Sequence, residues 1–345
     1  MTEAFVHTSY AGRVVFGAGS LHQVATEVEL LGIRRALVIA TGSAQPAADE
    51  VQAGLKERFA GRIDGVRQHV PTEVAEAARA KAREVQADGI IAIGGGSAIG
   101  LAKAIALTAD VQILAVPTTY AGSEMTPVWG ETSGGSKTTG TDVRVLPKTV
   151  IYDPRLTLQL PLKVTAASVA NALAHCVEAV WTEKANPITE TTAVEAARAL
   201  STGLRATLAN PTDIDARGNL LYGACLAGTA LAAAGTGVHH KLCHLLGGTY
   251  NLPHAETHAA VLPQVTRVKA VEVPRAKARL EEALETDDLA TGLFDLFAAA
   301  NVPTSLQALG LTREQAVAAA HSFPGDVEEI LTRAWAGTRP EGATR

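Results

Sequence analysis

Short apolar runs alternate with amphipathic stretches along the first part of the chain, and the rhythm changes beyond about Leu156. Arg13–Phe16 reads as a short strand followed by Gly17-Ala18-Gly19, with Ser20 placed to cap a helix to about Leu31. Arg35–Thr41 (RALVIAT) and Gly89–Ile93 are unbroken apolar runs, the mark of strands buried on both faces. Between them the pattern predicts a helix over about Ala47–Phe59, a strand near Gly65–Val70 and a helix over about Glu73–Gln86. Gly94-Gly95-Gly96-Ser97 then leads into a helix, Ala98–Leu107, and a further strand, Val111–Val116, closed by Pro117-Thr118-Thr119. Strands alternating with helices predict a parallel α/β sheet.

After Leu156 the strand pattern vanishes. Ala166–Val180, Thr191–Leu204, Gly218–Ala234 and the segments after Val265 read as helices, and a polar tail after Thr338 reads as frayed. Asp153-Pro154 and Pro161 mark the junction. The expected organisation is an α/β domain over 1–154 and an all-helical domain over 155–345. The weakly polar run Leu221–Gly235 is too short to span a bilayer and reads as a buried helix.

Composition narrows the class. With 47% apolar and 19% charged residues in 345, the chain suits a compact soluble enzyme. A net charge of −5 without a basic block offers nothing to nucleic acid or an anionic membrane. The start, MTEAFVHTSY, shows neither the basic nor the apolar region of a secretory signal. Three widely spaced cysteines, Cys176, Cys225 and Cys243, form no CxxC pair and are expected as free thiols in a reducing cytoplasm.

The chemistry concentrates in Gly235–Pro263, which holds five of the ten histidines: His239, His240, His244, His254 and His258. At about 3.6 residues per turn, His240 and His244 share one helix face, with Lys241 beside them. Gly247-Gly248 and Pro253 are expected to break that helix, and His254 and His258 begin a second pair at the same spacing. A chain that reverses there can aim both pairs into one cavity. Asn171 and His175 form another such pair on the helix after the junction, a candidate second wall.

In the α/β half, Gly94–Ser97 sits between a strand and a helix start. Glycines allow close approach and the free N–H groups favour an anion such as a pyrophosphate. The tetrapeptide is not the GxGxxG fingerprint, so an ordinary Rossmann domain is not implied. Pro117–Pro127 (PTTYAGSEMTP) ends the next strand in hydroxyls and glycine, at the edge where such sheets bind ligands. Lys137 is a further candidate for a cofactor or substrate charge.

Taken in order, GGGSAIGLAKAIAL (Gly94–Leu107), KTTGTDVRVLPKTVIYDP (Lys137–Pro154), NALAHCVEA (Asn171–Ala179) and HHKLCHLLGGTYNLPHAETHAAVLP (His239–Pro263) resemble the iron-containing alcohol dehydrogenase superfamily. Within it they are most similar to the maleylacetate reductase family. The resemblance spans nearly the whole chain. It implies a dinucleotide-binding α/β domain, an all-helical substrate domain of the dehydroquinate synthase-like type, and an active site in the cleft between them.

The implied reaction is NAD(P)H-dependent reduction of the C=C bond of maleylacetate, an unsaturated keto-dicarboxylate, to 3-oxoadipate in aromatic-compound degradation. The alternative is a metal-dependent alcohol or polyol dehydrogenase of the same superfamily. A homodimer is a family-level expectation.

The superfamily's metal ligands, one aspartate and three histidines, fall on Asn171, His175, His240 and His254. The amide in the first place removes the anionic ligand, so no catalytic metal is expected; were one bound, His175, His240 and His254 would hold it. His175, His240, His244 and His254 are the expected catalytic groups, and Asn171, His239 and Lys241 the expected substrate-binding ones. For the cofactor the expected contacts are Gly94, Gly95, Gly96, Ser97, Thr118, Thr119, Ser123 and Lys137. An aspartate common after the second strand of the alcohol dehydrogenases is replaced here by Gly42, and Gly100 stands where many relatives carry another. Losing these carboxylates should admit NADPH beside NADH.

Overall fold

A computed structural model describes residues 4–134 and 136–341, without the side chains of Ser136 and Lys137. The chain separates into two compact units, one of residues 10–160 and 212–221, the other of 4–9, 161–211 and 222–341.

The first unit is built on β1 (Arg13–Phe16), α1 (Val24–Leu30), β2 (Ala36–Ala40), α2 (Gln45–Leu55), β3 (Phe59–Ile63), α3 (Thr72–Glu84), β4 (Gly89–Gly94), α4 (Gly96–Ala106), β5 (Gln112–Pro117), the hairpin β6 (Val128–Ser133) with β7 (Ser136–Thr141), and β8 (Thr149–Tyr152). The parallel sheet runs β1-β8-β5-β4-β2-β3. Every residue of β2 and β4 is buried, as their unbroken apolar sequences require of inner strands. From β2 the chain steps outward to β3, whereas from β4 it steps the other way to β5. The winding therefore reverses between β2 and β4, and the crevice beyond their carboxyl ends is where such sheets take ligands.

The second unit is helical: α5 (Leu162–Glu178), α6 (Pro187–Ala209), α7 (Ile214–Ala234, through which the division runs), α8 (Val238–Tyr250), α9 (His254–Lys269), α10 (Pro274–Leu284), α11 (Leu289–Ala299), α12 (Arg313–Ser322) and α13 (Glu328–Ala336). The division at 160/161 has a local anchor. Fully buried Arg217, in the part of α7 that belongs to the α/β unit, donates to the Tyr120 hydroxyl at 3.2 Å and the Leu160 carbonyl at 3.3 Å. Among the described residues no single helix is long and apolar enough to cross a membrane.

Several local expectations are corrected. Gly65–Val70 is not a strand; the third strand is Phe59–Ile63, because Gly61 and the half-buried positions around it pair with β2. Ser20 does not cap a helix. Its hydroxyl donates to the Tyr152 carbonyl at 3.0 Å, and a 3-10 turn precedes α1. Gly247-Gly248 do not break α8, which continues to Tyr250 and stops at left-handed Asn251. The tail is tied down through Pro340: the Thr338 carbonyl accepts from Gln264, the Pro340 carbonyl accepts from Thr291, and Arg339 pairs with Asp295.

Candidate active site

The glycine turn closes β4 with Gly94 at φ 149°, a conformation that disfavours side chains, and a Cβ there would lie 2.8 Å from Thr41. Helix α4 then starts at Gly96, two residues before the predicted position, so Ser97 belongs to its first turn. At a helix start the leading N–H groups have no helical acceptor, and Gly95 offers no side-chain cap to occupy them. A bare, positively polarised helix end over a glycine cradle fits a pyrophosphate. Thr118 donates its N–H to the Gly94 carbonyl at 3.0 Å, and a Cβ on Gly95 would meet the Thr119 side chain at 3.0 Å. The two predicted cofactor loops are therefore one structure. Ser123 opens the 3-10 turn that follows. Gly42 opens another directly after β2, beside Gly94 across the switch point, and a Cβ there would meet nothing within 4 Å. Lys137 lies on β7, its side chain outside the described atoms.

In the helical unit, α5, α8 and α9 pack together and bring six histidine rings into one cluster. His175 stacks on His240 at 5.0 Å between centroids, and His240 meets His258 at 4.7 Å. His258 meets His254 at 4.5 Å, and His254 stacks on His244 at 5.9 Å. His244 and His254 are half-buried and form the open side of the cluster, whereas Asn171, His175, His239, His240 and His258 are buried.

The centre of this cluster is Glu178, which the sequence reading passed over. It is 1% exposed, its Oε2 accepting from His240 Nδ1 at 2.5 Å and its Oε1 from the His239 backbone N–H at 2.7 Å. Gly237, the residue before α8, lets the carboxylate approach this closely; a Cβ there would stand 2.8 Å from Glu178 Oε1. Burial works to raise the Glu178 pKa, but the charge and hydrogen bond of His240 outweigh it and hold the group at about 2. His258, one of the five histidines expected to share a cavity, has no role among the expected catalytic or binding groups. Its Nδ1 is 2.9 Å from His239 Nε2.

Burial, and then neighbouring imidazoles, push His175 and His258 well below 6.5 and His239 down to about 3, so these three are neutral at pH 7. Five buried atoms of the cluster have no hydrogen-bond partner among the described residues: Asn171 Oδ1, His175 Nδ1, His239 Nδ1, His240 Nε2 and His258 Nε2. Buried polar atoms are almost always paired, so orphans gathered in one place mark groups left for a ligand.

His239 is fully buried, its Nε2 facing His258 and, at 3.7 Å, Cys243, while its Nδ1 has no hydrogen-bond partner among the described residues. Lys241 is exposed between buried His240 and Leu242, outside the cluster.

The positions that match the superfamily's metal ligands form a set without a free anion. Asn171 is neutral, and both oxygens of Glu178 are already engaged. Such a set does not fit an oxygen-favouring Fe²⁺. His239, His240 and His258 do place nitrogens within 4.8 Å of one another, but the hydrogen bond between His239 and His258 occupies a lone pair that a metal would need.

The family models agree with this architecture. Residues 11–154 match the iron-containing alcohol dehydrogenase model, and residues 165–329 the C-terminal model of the Fe-containing alcohol dehydrogenase family. A maleylacetate reductase of Sphingobium indicum is 45% identical over 348 residues, covering 97% of this chain and 99% of that one. The crystal structure of maleylacetate reductase from Agrobacterium tumefaciens superposes with a TM-score of 0.93 at 40% identity, covering 98% of this chain and 100% of that one. The enzyme of the same name from a Rhizobium species gives 0.93 at 41%, with the same coverage. The α/β unit with its parallel sheet, the helical unit with its histidine cluster and these near full-length relatives together place the chain in the iron-containing alcohol dehydrogenase family, as an oxidoreductase whose relatives are maleylacetate reductases.

Proposed function

We propose that this chain reduces the C=C bond of maleylacetate to give 3-oxoadipate, using NADH or NADPH and no catalytic metal. The observation that carries the reading is the cluster of orphaned buried donors and acceptors around Asn171, His175, His240 and His258, with a neutral amide at the superfamily's aspartate position.

A nicotinamide held by Gly94–Ser97 and Thr118–Ser123 would supply a hydride to the alkene carbon β to the ketone, and the electron pair of the C=C bond would move to the ketone oxygen as an enolate. The enolate needs hydrogen-bond donors and a proton at the neighbouring carbon. Asn171 can turn an N–H toward that oxygen, whereas an aspartate would only repel it. Neutral His175 and His258 each carry one N–H for the same purpose.

His240 is assigned the proton. Its Nδ1–H is held by ionised Glu178, a partner that stabilises the imidazolium, which then donates from Nε2. Half-buried His244 and His254 are assigned to the substrate carboxylates on the open side. Chemistry of this kind requires the nicotinamide carbon and the alkene to come within about 3–3.5 Å.

The deciding experiment is NADH oxidation with freshly prepared maleylacetate, before and after exhaustive chelation, with elemental analysis of the purified protein. Activity should survive chelation. His175→Ala and His258→Ala should each lose about 10²–10³ in rate, the usual cost of one donor to a developing oxyanion, and His240→Ala about 10² or more, the usual scale for a general acid. Asn171→Asp should raise Fe²⁺ or Zn²⁺ affinity without improving enone reduction. Stoichiometric metal whose removal abolishes activity and whose return restores it would establish the alternative, a metal-dependent dehydrogenase holding the ion on His175, His240 and His254.

A further inference from the structure

His239, in the first turn of α8, and His258, on α9, are fully buried against each other. His239 Nε2 stands 2.9 Å from His258 Nδ1, with the ring centroids 4.9 Å apart. The other nitrogen of each ring, His239 Nδ1 and His258 Nε2, is buried without a partner among the described residues. Burial keeps both rings neutral at pH 7, so each carries a single proton on one of its two nitrogens.

One hydrogen bond joins the rings, so its direction settles the tautomer of both. In one direction His239 Nε2–H donates to His258 Nδ1, and the proton of His258 is left on Nε2. In the other, His258 Nδ1–H donates to His239 Nε2. His258 Nε2 is then a bare lone pair, and the proton of His239 lies on Nδ1. Only the first direction gives His258 a free N–H.

Two observations favour the first direction. Cys243 Sγ stands 3.7 Å from the same His239 Nε2, and burial holds that thiol protonated. A ring nitrogen has one lone pair, which the second direction would divide between an N–H and an S–H. In the first, Nε2–H has two acceptors before it, the His258 lone pair and the sulfur. The second observation is where the unpaired N–H comes to lie. His239 meets His240, His258 and Cys243, all of them buried, so an N–H on its Nδ1 would stay unsatisfied. His258 lies 4.5 Å, ring to ring, from half-buried His254 on the open side, where a substrate oxygen can satisfy it.

We propose that His239 is a positioning residue for His258: it donates from Nε2 to His258 Nδ1 and so fixes the proton of His258 on Nε2, the form that donates to the enolate oxygen. A carboxylate in the place of His239 would draw that proton to Nδ1 and disable the donor. An imidazole sets the tautomer without burying a charge. The proposal rests on the reading of His258 as a donor to that oxygen.

The test is long-range ¹H–¹⁵N correlation spectroscopy of the histidine-labelled protein, in which protonated and bare ring nitrogens resonate far apart, with His258→Phe assigning the signals. His258 should be protonated on Nε2 and bare on Nδ1. In His239→Phe it should show both tautomers, and single-turnover reduction of maleylacetate should slow about tenfold or more, less than the loss of the donor itself. KM for maleylacetate should hardly move. His239→Gln, whose amide nitrogen can stand where Nε2 does, should restore the wild-type signals and most of the rate. In a His258→Phe background His239→Phe should cost nothing further, because the two residues act as one unit.

A wild-type His258 protonated on Nδ1, or mixed between the two forms, overturns the proposal, and this spectrum decides even if the variants do not fold. So does a wild-type rate in His239→Phe. A loss that glutamine does not restore and that adds to that of His258→Phe is the mark of a merely structural prop, and overturns it equally. If His258→Phe itself reduces maleylacetate at the wild-type rate, the reading of His258 as a donor falls and takes this proposal with it. If His258→Phe is slow while His239→Phe is not, only the role of His239 falls.

Discussion

Glu178 shows how much one side chain organises. It fixes which nitrogen of His240 carries the proton, leaves Nε2 without a partner among the described residues, and holds the start of α8 through the His239 N–H. It acts through His240, so its substitution should read out in the proton-transfer step. Glu178→Gln keeps the shape and removes the charge that favours the imidazolium. The expected outcome is a fall in kcat of about 10² or more, the usual scale for a general acid, with KM for maleylacetate nearly unchanged. Equal kcat in stopped-flow reduction would remove His240 as the donor. Part of this was legible beforehand. Asn171, His175 and Glu178 recur at four and three residues along one predicted helix, so the face was visible, but a glutamate on a helix is ordinarily a solvated surface group.

At the scale of elements, the turn after β2 and the turn after β4 meet at the point where the sheet reverses its winding. Gly42 opens the first of them with open space where a side chain would go. NADH and NADPH should therefore serve with efficiencies within about tenfold of each other, a gap of roughly 1.4 kcal/mol. Gly42→Asp should fold normally and selectively weaken NADPH, by placing a carboxylate against the 2′-phosphate. Steady-state kinetics showing a preference of about a thousandfold in the parent protein would sink this reading. The strands here announced themselves because β2 and β4 are buried on both faces. The β6–β7 hairpin did not, since VWGETS and SKTTGT mix glycine, threonine and charge with no strict alternation.

At the scale of the molecule, the histidine cluster ties stability to pH. His175, His239 and His258 have folded pKa values below that of an unfolded histidine, so below pH 6.5 the unfolded chain binds more protons. Stability should therefore be full above 6.5 and fall as the pH drops toward about 3, where His239 itself titrates. Each such group contributes a slope of about 1.4 kcal/mol per pH unit while only the unfolded state is charged. Glu178 adds a loss in the same direction between 4.5 and about 2, because its folded pKa is the lower one. Urea unfolding followed by circular dichroism across this range checks it. A flat profile from neutral pH down to about 5 would show that the imidazoles are not buried and neutral.

The amino-acid order determined whatever depends on near neighbours. The inner strands, the i,i+4 histidine pairs, the glycine turn before a helix and the change from mixed to helical structure were all readable, because periodicity and backbone preference act over a few residues. Some ends were misjudged for the same reason. Gly247-Gly248 stays helical because α8 is held by buried Leu242, Cys243 and Leu246, which outweigh the local cost of glycine. Pairings between distant segments were left to the tertiary structure. His240 meets a carboxylate 62 positions away, and Lys103 is ringed by carbonyls that have no side-chain identity to read. Burial then sets the protonation of the histidines, and burial belongs to the packed helices rather than to any single one of them.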